Sequence, residues 1–127
     1  MKITEVISEN AAKPFGVFSQ AIKAGNFIFV SGQVSKDRNG RVVGKGDIKA
    51  QTEQCILNLQ NILEAAGTTL RDVVKVTVFV ADMSHLAAIH EVRARYFTQP
   101  YPASTLVEVS RFTEKDYLIE IEAIALC

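Results

Sequence analysis

The sequence predicts an α+β domain in which one mixed β-sheet carries two helices on one face. Three observations point there. The apolar spacing runs strands, helix, strand, helix, strands along the chain. Each helical stretch has its apolar residues on a single stripe. The strands near the middle and the end of the chain carry apolar residues on both faces, more than a sheet with one solvated face requires. A length of 127 residues with 48% hydrophobic and 22% charged residues suits one domain spanning residues 1–127.

The first strand-like runs, around Ser19 to Lys23 and Asn26 to Gly32, are separated by Ala24 and Gly25 with Asn26 at the turn, which predicts a hairpin. A polar connection follows through Asp37, Arg38, Asn39 and Gly40 to Gly44 and Gly46. Asp47 is placed to cap a helix starting at Ile48. Cys55, Ile56, Leu59, Ile62, Leu63 and Ala66 recur at helical spacing, and Gly67 supplies the stop. Val73 to Val80 is rich in β-branched residues and reads as a strand, with Val74, Val76, Val78 and Val80 on one face and Val73, Lys75, Thr77 and Phe79 on the other. Asp82 or Ser84 caps a second helix whose stripe is Leu86, Ile89, Val92 and Tyr96, ending before Pro100 and Pro102.

Two further strands, Ala103 to Val109 and Tyr117 to Leu126, complete the sheet. On the last, Ile119, Ile121, Ala123 and Ala125 share one face, and Leu118, Glu120, Glu122, Ile124 and Leu126 share the other. The two helices cover one face only. The second, half-apolar face is therefore expected to pack against another subunit, with its charged members at the margins of subunit clefts.

Fourteen basic residues balance fourteen acidic ones, so no overall field gathers phosphate, and nucleic acid is not an expected partner. Met1 to Asn10 lacks the apolar core of a signal peptide, and no run is long enough to span a membrane, so a cytoplasmic protein is expected. Cys55 and Cys127 have neither disulfide nor zinc spacing and are expected as free thiols, with no metal site.

Six strings resemble the Rid family, the reactive intermediate deaminases also called the YjgF family, in the family's order and over nearly the whole chain. They are Gly16 to Ala21, Val30 to Gln33, Asn58-Leu59 with Ala65 to Gly67, Val76 to Asp82, Pro102-Ala103 with Val107 to Val109, and Ile119 to Ala125. The resemblance implies a chorismate-mutase-like subunit and a homotrimer with a central barrel. It further implies ligand clefts between neighbouring subunits and no metal or organic cofactor. The best-studied members hydrolyse reactive 2-imino acids to 2-keto acids and ammonia. An imine carbon is already electrophilic, so such an enzyme need only hold the carboxylate, position a water and manage protons.

The resemblance aligns the family's carboxylate-gripping arginine with Ser104, a tyrosine with Phe18, an asparagine with His90 and a cysteine with Leu106. Four departures at one cleft imply a Rid-type hydrolase of small imines or enamines whose substrate differs from the usual 2-imino acids. The rival reading is a non-enzymatic trimer that binds a small metabolite in a regulatory or chaperone-like role. The family's older description, an endoribonuclease and translation inhibitor, is disfavoured by zero net charge and by the lack of an aromatic-basic stretch.

Among single residues, Glu120 aligns with the family carboxylate that orients or activates water, and its apolar strand neighbours predict a raised pKa. An ion pair at a subunit edge is its bland alternative. Glu122 shares its face and reads as structural. Ser31 and Gly32 let backbone approach a ligand and offer an N–H donor, against the alternative of a bulge required by packing. His90 and Arg93, at i and i+3, lie side by side on the second helix and are placed to replace the missing cation, unless they are a solvated rim. His85 and Arg95 are expected to face solvent. Arg111 has no direction fixed by the sequence. Ser104 is the hydroxyl expected in the cleft, with Thr105 pointing to the opposite face and Leu106 sharing the face of Ser104.

Overall fold

The structure, a computed structural model, describes residues 2–127. Its elements are β1 (Ile3–Val6), β2 (Ala21–Ala24), β3 (Phe27–Val34), α1 (Ile48–Ala65), β4 (Val73–Val80), α2 (Leu86–Tyr96), β5 (Ala103–Glu108) and β6 (Ile119–Leu126). The six strands form one sheet in the order β1-β2-β3-β6-β4-β5. The sheet is mixed, because β4 and β5 run parallel while the other pairs are antiparallel. The last strand thus closes the middle of the sheet. Its inward residues Ile119, Ile121, Ala123 and Ala125 meet Ile28, Val30, Val76, Val78 and Val80 in one core under the helices. No helix among the described residues is long and apolar enough to cross a membrane.

The predicted hairpin is β2–β3, shifted toward the C-terminus by one or two residues, and Gly25 turns it at φ +59°. Strand β1 went unpredicted because three of its four residues are exposed and it gains its place by pairing with β2. In β4 the expected face assignment fails at one end. A register shift against β6 between Val73 and Lys75 turns Val73 inward and Val74 outward, as a bulge does by adding one residue to one strand.

Helix α1 follows the prediction at both ends. Ala50 N–H donates to Asp47 Oδ1 at 3.1 Å, and Gly67 adopts φ +85° just past the last turn. The second helix begins later than its cap suggests. Asp82 caps a 3-10 turn, Met83–His85, by accepting from Ser84 N–H, and α2 starts only at Leu86. Ile89 and Val92 are fully buried, as their spacing requires, while Leu86 is left partly exposed.

Three buried amide side chains tie the irregular segments to this frame. Gln51 donates from Nε2 to Gly44 O at 3.0 Å and Asp116 O at 2.8 Å, and accepts from Leu118 N–H at 2.8 Å. Asn58 donates from Nδ2 to Val34 O at 3.1 Å and Lys36 O at 2.9 Å. Gln20 accepts from Ser8 N–H at 2.7 Å and donates to the carbonyls of Ser8, Ala11 and Ala12. The sheet face away from the helices keeps Phe27, Phe29, Val107 and Leu126 more than a third exposed, which is the half-apolar second face the strand pattern predicts.

Replacing Gln51 with Leu keeps the bulk but strands two carbonyls and an N–H. We expect a loss of about 2–4 kcal/mol in urea unfolding, since each buried group left unpaired costs on the order of 1 kcal/mol or more. An unchanged midpoint would show that these groups find other partners.

Candidate functional site

Glu120 lies in the centre of the sheet on the open face, in register with Val34 of β3 and Phe79 of β4. Its carboxylate rests against Gly32. A Cβ built on Gly32 would come within 2.8 Å of Glu120 Cδ and closer still to Oε2, so glycine is what admits the carboxylate here. Burial, and then the neighbouring Glu122 carboxylate, push the pKa of Glu120 up from its ordinary value. The predicted shift is thus present, and Glu122 contributes to it rather than serving only as structure.

Glu120 and Gly32 share a cavity of about 660 Å³ with Phe18, Ser31, Lys36 and Tyr117. The donors of Ser31 are engaged within the chain. Its N–H donates to Gln20 O at 2.9 Å and its hydroxyl to Ser19 O at 2.6 Å, so both are committed to the neighbouring chain segment. Gln33 donates from Nε2 back to Ser31 O at 3.1 Å. On the other side of Glu120, Arg111 folds back to line a shallower hollow with Phe79 and Glu120.

The remaining predicted residues gather elsewhere. His90, Arg93 and Ser104 line a second cleft of about 260 Å³ with Phe97, Tyr101 and Pro102. Arg93 Nη2 donates to Ser104 Oγ at 2.9 Å, which places a guanidinium against the first hydroxyl of β5. Arg93 is half-buried, and burial pulls its pKa below the ordinary arginine value. Thr105 points the other way and accepts from Lys75 Nζ at 2.7 Å, as strand alternation predicts. Leu106 is partly buried against the core and is not among the residues lining this cleft within one subunit. His85 is a correction, being half-buried with Nδ1 enclosed and unpartnered, whereas Arg95 is exposed as expected.

Within one chain the site residues therefore form two groups with no lining residue in common. The Glu120 group opens on the free sheet face, and the Arg93 group lies on the helix side. The sequence reading missed Lys36 and Tyr117. Lys36 sits beyond the end of β3, and Tyr117 precedes β6, so neither belonged to a periodic stretch that would give its direction. Cys55 is buried and Cys127 exposed, both as free thiols. No group of His, Cys, Asp or Glu among the described residues is arranged to hold a metal.

Residues 8–127 match the family described as Endoribonuclease L-PSP. A RutC family protein of Pyrococcus horikoshii is 55% identical over 120 residues, covering 94% of each chain. The crystal structure of RidA from an Antarctic Psychrobacter superposes with a TM-score of 0.91 at 36% identity, covering 98% of this chain and 99% of that one. The crystal structure of Escherichia coli TdcF with bound serine gives 0.90 at 32% identity, covering 98% of each.

The raised pKa of Glu120 has a stability consequence of definite sign. Its contribution is present below the unfolded carboxyl pKa and is lost as pH rises through the higher folded value, because the ionised form is the one the site disfavours. Glu120→Gln should therefore melt above the parent protein at pH 8, with the gap closing as pH falls toward 4.5, the ordinary value. A gap that widens toward acid pH would contradict the desolvated placement.

Proposed function

Because the chain belongs to the Rid family, which also carries the descriptions YjgF, RutC and Endoribonuclease L-PSP, we propose that it hydrolyses small reactive imines or enamines, with a preference shifted away from the usual 2-imino acids. The observation that carries this reading is the guanidinium of Arg93 held against Ser104. The family resemblance puts the carboxylate-gripping arginine at position 104, and here a cation reaches the same place from α2. A guanidinium offers a planar fork matched to a carboxylate. Its partial desolvation makes an anionic ligand the natural partner, since an unpaired buried charge is costly. The fork projects from the helix instead of the strand, which moves the anchor and so changes which substrates fit.

The chemistry needs one more group. With the substrate carboxylate on Arg93, a water attacks the imine carbon, the C=N electron pair moves to nitrogen, and Glu120 takes the water's proton. The same carboxyl returns that proton to nitrogen, then takes the adduct's hydroxyl proton and delivers it to the amine as the C–N bond breaks, leaving the carbonyl product and ammonia. A raised pKa suits a carboxylate to both halves of that exchange. The proton transfers need only this carboxyl and water.

Glu120 and Arg93 open on different faces of one subunit, so a complete site needs a second copy to bring them together. We assign a homotrimer whose exposed sheet faces, with Phe27, Phe29, Val107 and Leu126, meet around a central barrel and whose clefts lie between neighbours. The serine bound to the related E. coli protein supports a small polar metabolite in a cleft of this fold. The equal numbers of basic and acidic residues supply no field for RNA, so ribonuclease chemistry is not assigned.

Sedimentation equilibrium at micromolar concentration should give the trimer mass, and a stable monomer would sink the shared-site reading. With imines generated in situ by an amino-acid oxidase, the protein should accelerate imine decay and ammonia release. Arg93→Ala should lower kcat/KM about tenfold to a hundredfold, the effect of losing a charge-assisted bond of about 1.5–3 kcal/mol. Arg93→Lys should recover only part of it, because an ammonium lacks the fork. Full activity in Arg93→Ala would remove Arg93 from the site.

A further inference from the structure

The Glu120 cavity is larger than a short imino acid needs, and its inner wall carries donors that the reaction above does not use. The Lys36 side chain is only 16% exposed, yet its ammonium is paired only with Glu114 Oε2, at a long 4.0 Å, from a carboxylate whose own side chain is 55% exposed. Its other neighbour is the Phe15 ring, 4.6 Å from Nζ to the centroid, which attracts the charge but accepts no ordinary hydrogen bond. An ammonium has three donors to satisfy. Tyr117 is 2% exposed, and its enclosed hydroxyl makes no well-formed hydrogen bond; the acceptor beside it is the same Glu114 carboxylate that stands at long range from Lys36. Both residues line the same cavity as Glu120.

Buried donors in native proteins are almost always well hydrogen-bonded, and two donors that share one distant, largely exposed carboxylate leave room for a second acceptor. The backbone around these two is also fixed in advance. Asn58 pins the carbonyl of Lys36 itself, and Gln51 grips Asp116 O and Leu118 N on either side of Tyr117. A site held in this way loses little freedom when it binds. The cavity is polarised too. Glu120 and Glu122 favour the nitrogen end of a protonated imine, while Lys36, with Lys13 also on the wall, favours a negative group. Glu114 is the carboxylate within 4.0 Å of Lys36, and its exposure leaves it free to turn outward.

We propose that Lys36 and Tyr117 form a second anion subsite that takes the distal carboxylate of a dicarboxylic substrate, with Glu120 acting on the imine between the two carboxylates. This names the substrate class for the imine-hydrolase reading and rests on it. The subsite gives the shift in preference a cause: a substrate with an acid at both ends is gripped at Arg93 and at Lys36, and a short monocarboxylate at only one.

Equilibrium binding of stable keto acids tests the subsite without any turnover. Calorimetric titration of the intact protein with 2-oxoglutarate and with 2-oxopentanoate compares one carbon skeleton with and without the distal carboxylate. The parent protein should bind 2-oxoglutarate at least about tenfold tighter, the effect of one charge-assisted bond. Lys36→Met should bring the ratio of affinities close to one, and Tyr117→Phe should reduce it severalfold. Melting curves identify a variant that has failed to fold, in which case the other decides the question. Equal affinities in the parent, or a preference that survives in the folded variants, overturn the subsite. Hydrolysis of monocarboxylic imines alongside equal keto-acid affinities would reject the subsite alone. Dicarboxylate preference without hydrolysis of any imine would reject the enzymatic reading and keep the subsite.

Discussion

The buried side-chain amides of Gln20, Gln51 and Asn58 are the constraint on which the rest of this structure depends. The helices and the sheet satisfy their own backbone groups, but the segments that wall the Glu120 cavity are irregular and have no ladder to join. Gln20 fastens residues 8 to 12, Asn58 fastens the chain leaving β3, and Gln51 fastens both the glycine-rich loop and the approach to β6. Each amide offers donors and an acceptor in fixed geometry, which suits it to bridging two chain segments at once. Left unpaired in the interior, the same backbone groups would cost more than their hydrogen bonds return. A cavity wall made of loops is therefore as well determined as one made of strands.

That rigidity is what allows a carboxylate to sit where it is disfavoured. Glu120 is carried on the central strand, whose neighbours β3 and β4 leave its backbone no freedom. Gly32 opposite gives the side chain room to lie down on the sheet rather than reach toward water. Burial and Glu122 then act on a group that has no easy escape, and the pKa rises. The bulge between Val30 and Gln33 has the same origin, since the β3–β6 register slips where Gly32 sits. The bulge and the room for Glu120 at Gly32 are thus two aspects of one local geometry.

The sequence made the large periodic elements legible. The hairpin, α1 with both of its ends, β4, α2 and the last two strands all follow from spacing and turn chemistry. What it concealed was decided by pairing. Strand β1 is too short and exposed to show a pattern, and the reversal of Val73 and Val74 depends on a slip against β6, more than forty residues away in sequence. The site divides in the same way. Arg93, His90 and Ser104 come together as helical and strand periodicity suggest, whereas Ser31 spends its groups on Gln20 and Ser19, which no local pattern announces. Lys36 and Tyr117 lie outside periodic stretches, and their directions are set by the amides of Asn58 and Gln51.

The pairing of Arg93 with Ser104 is better understood as one coupled feature than as two unrelated residues. A guanidinium from α2 can reach β5 only if the strand residue beneath it is small and offers an acceptor, and the serine hydroxyl does both. A second cation at position 104 would stand beside the Arg93 guanidinium, and like charges at contact distance repel. A longer apolar side chain would deny the fork its hydrogen bond. A small polar residue at 104 is compatible with an arginine at 93 in both charge and volume. His90, one turn back on the same helix, lines that cleft beside the same fork. The composition of the cleft is thus that of a guanidinium reaching from the helix to a small polar residue of the strand.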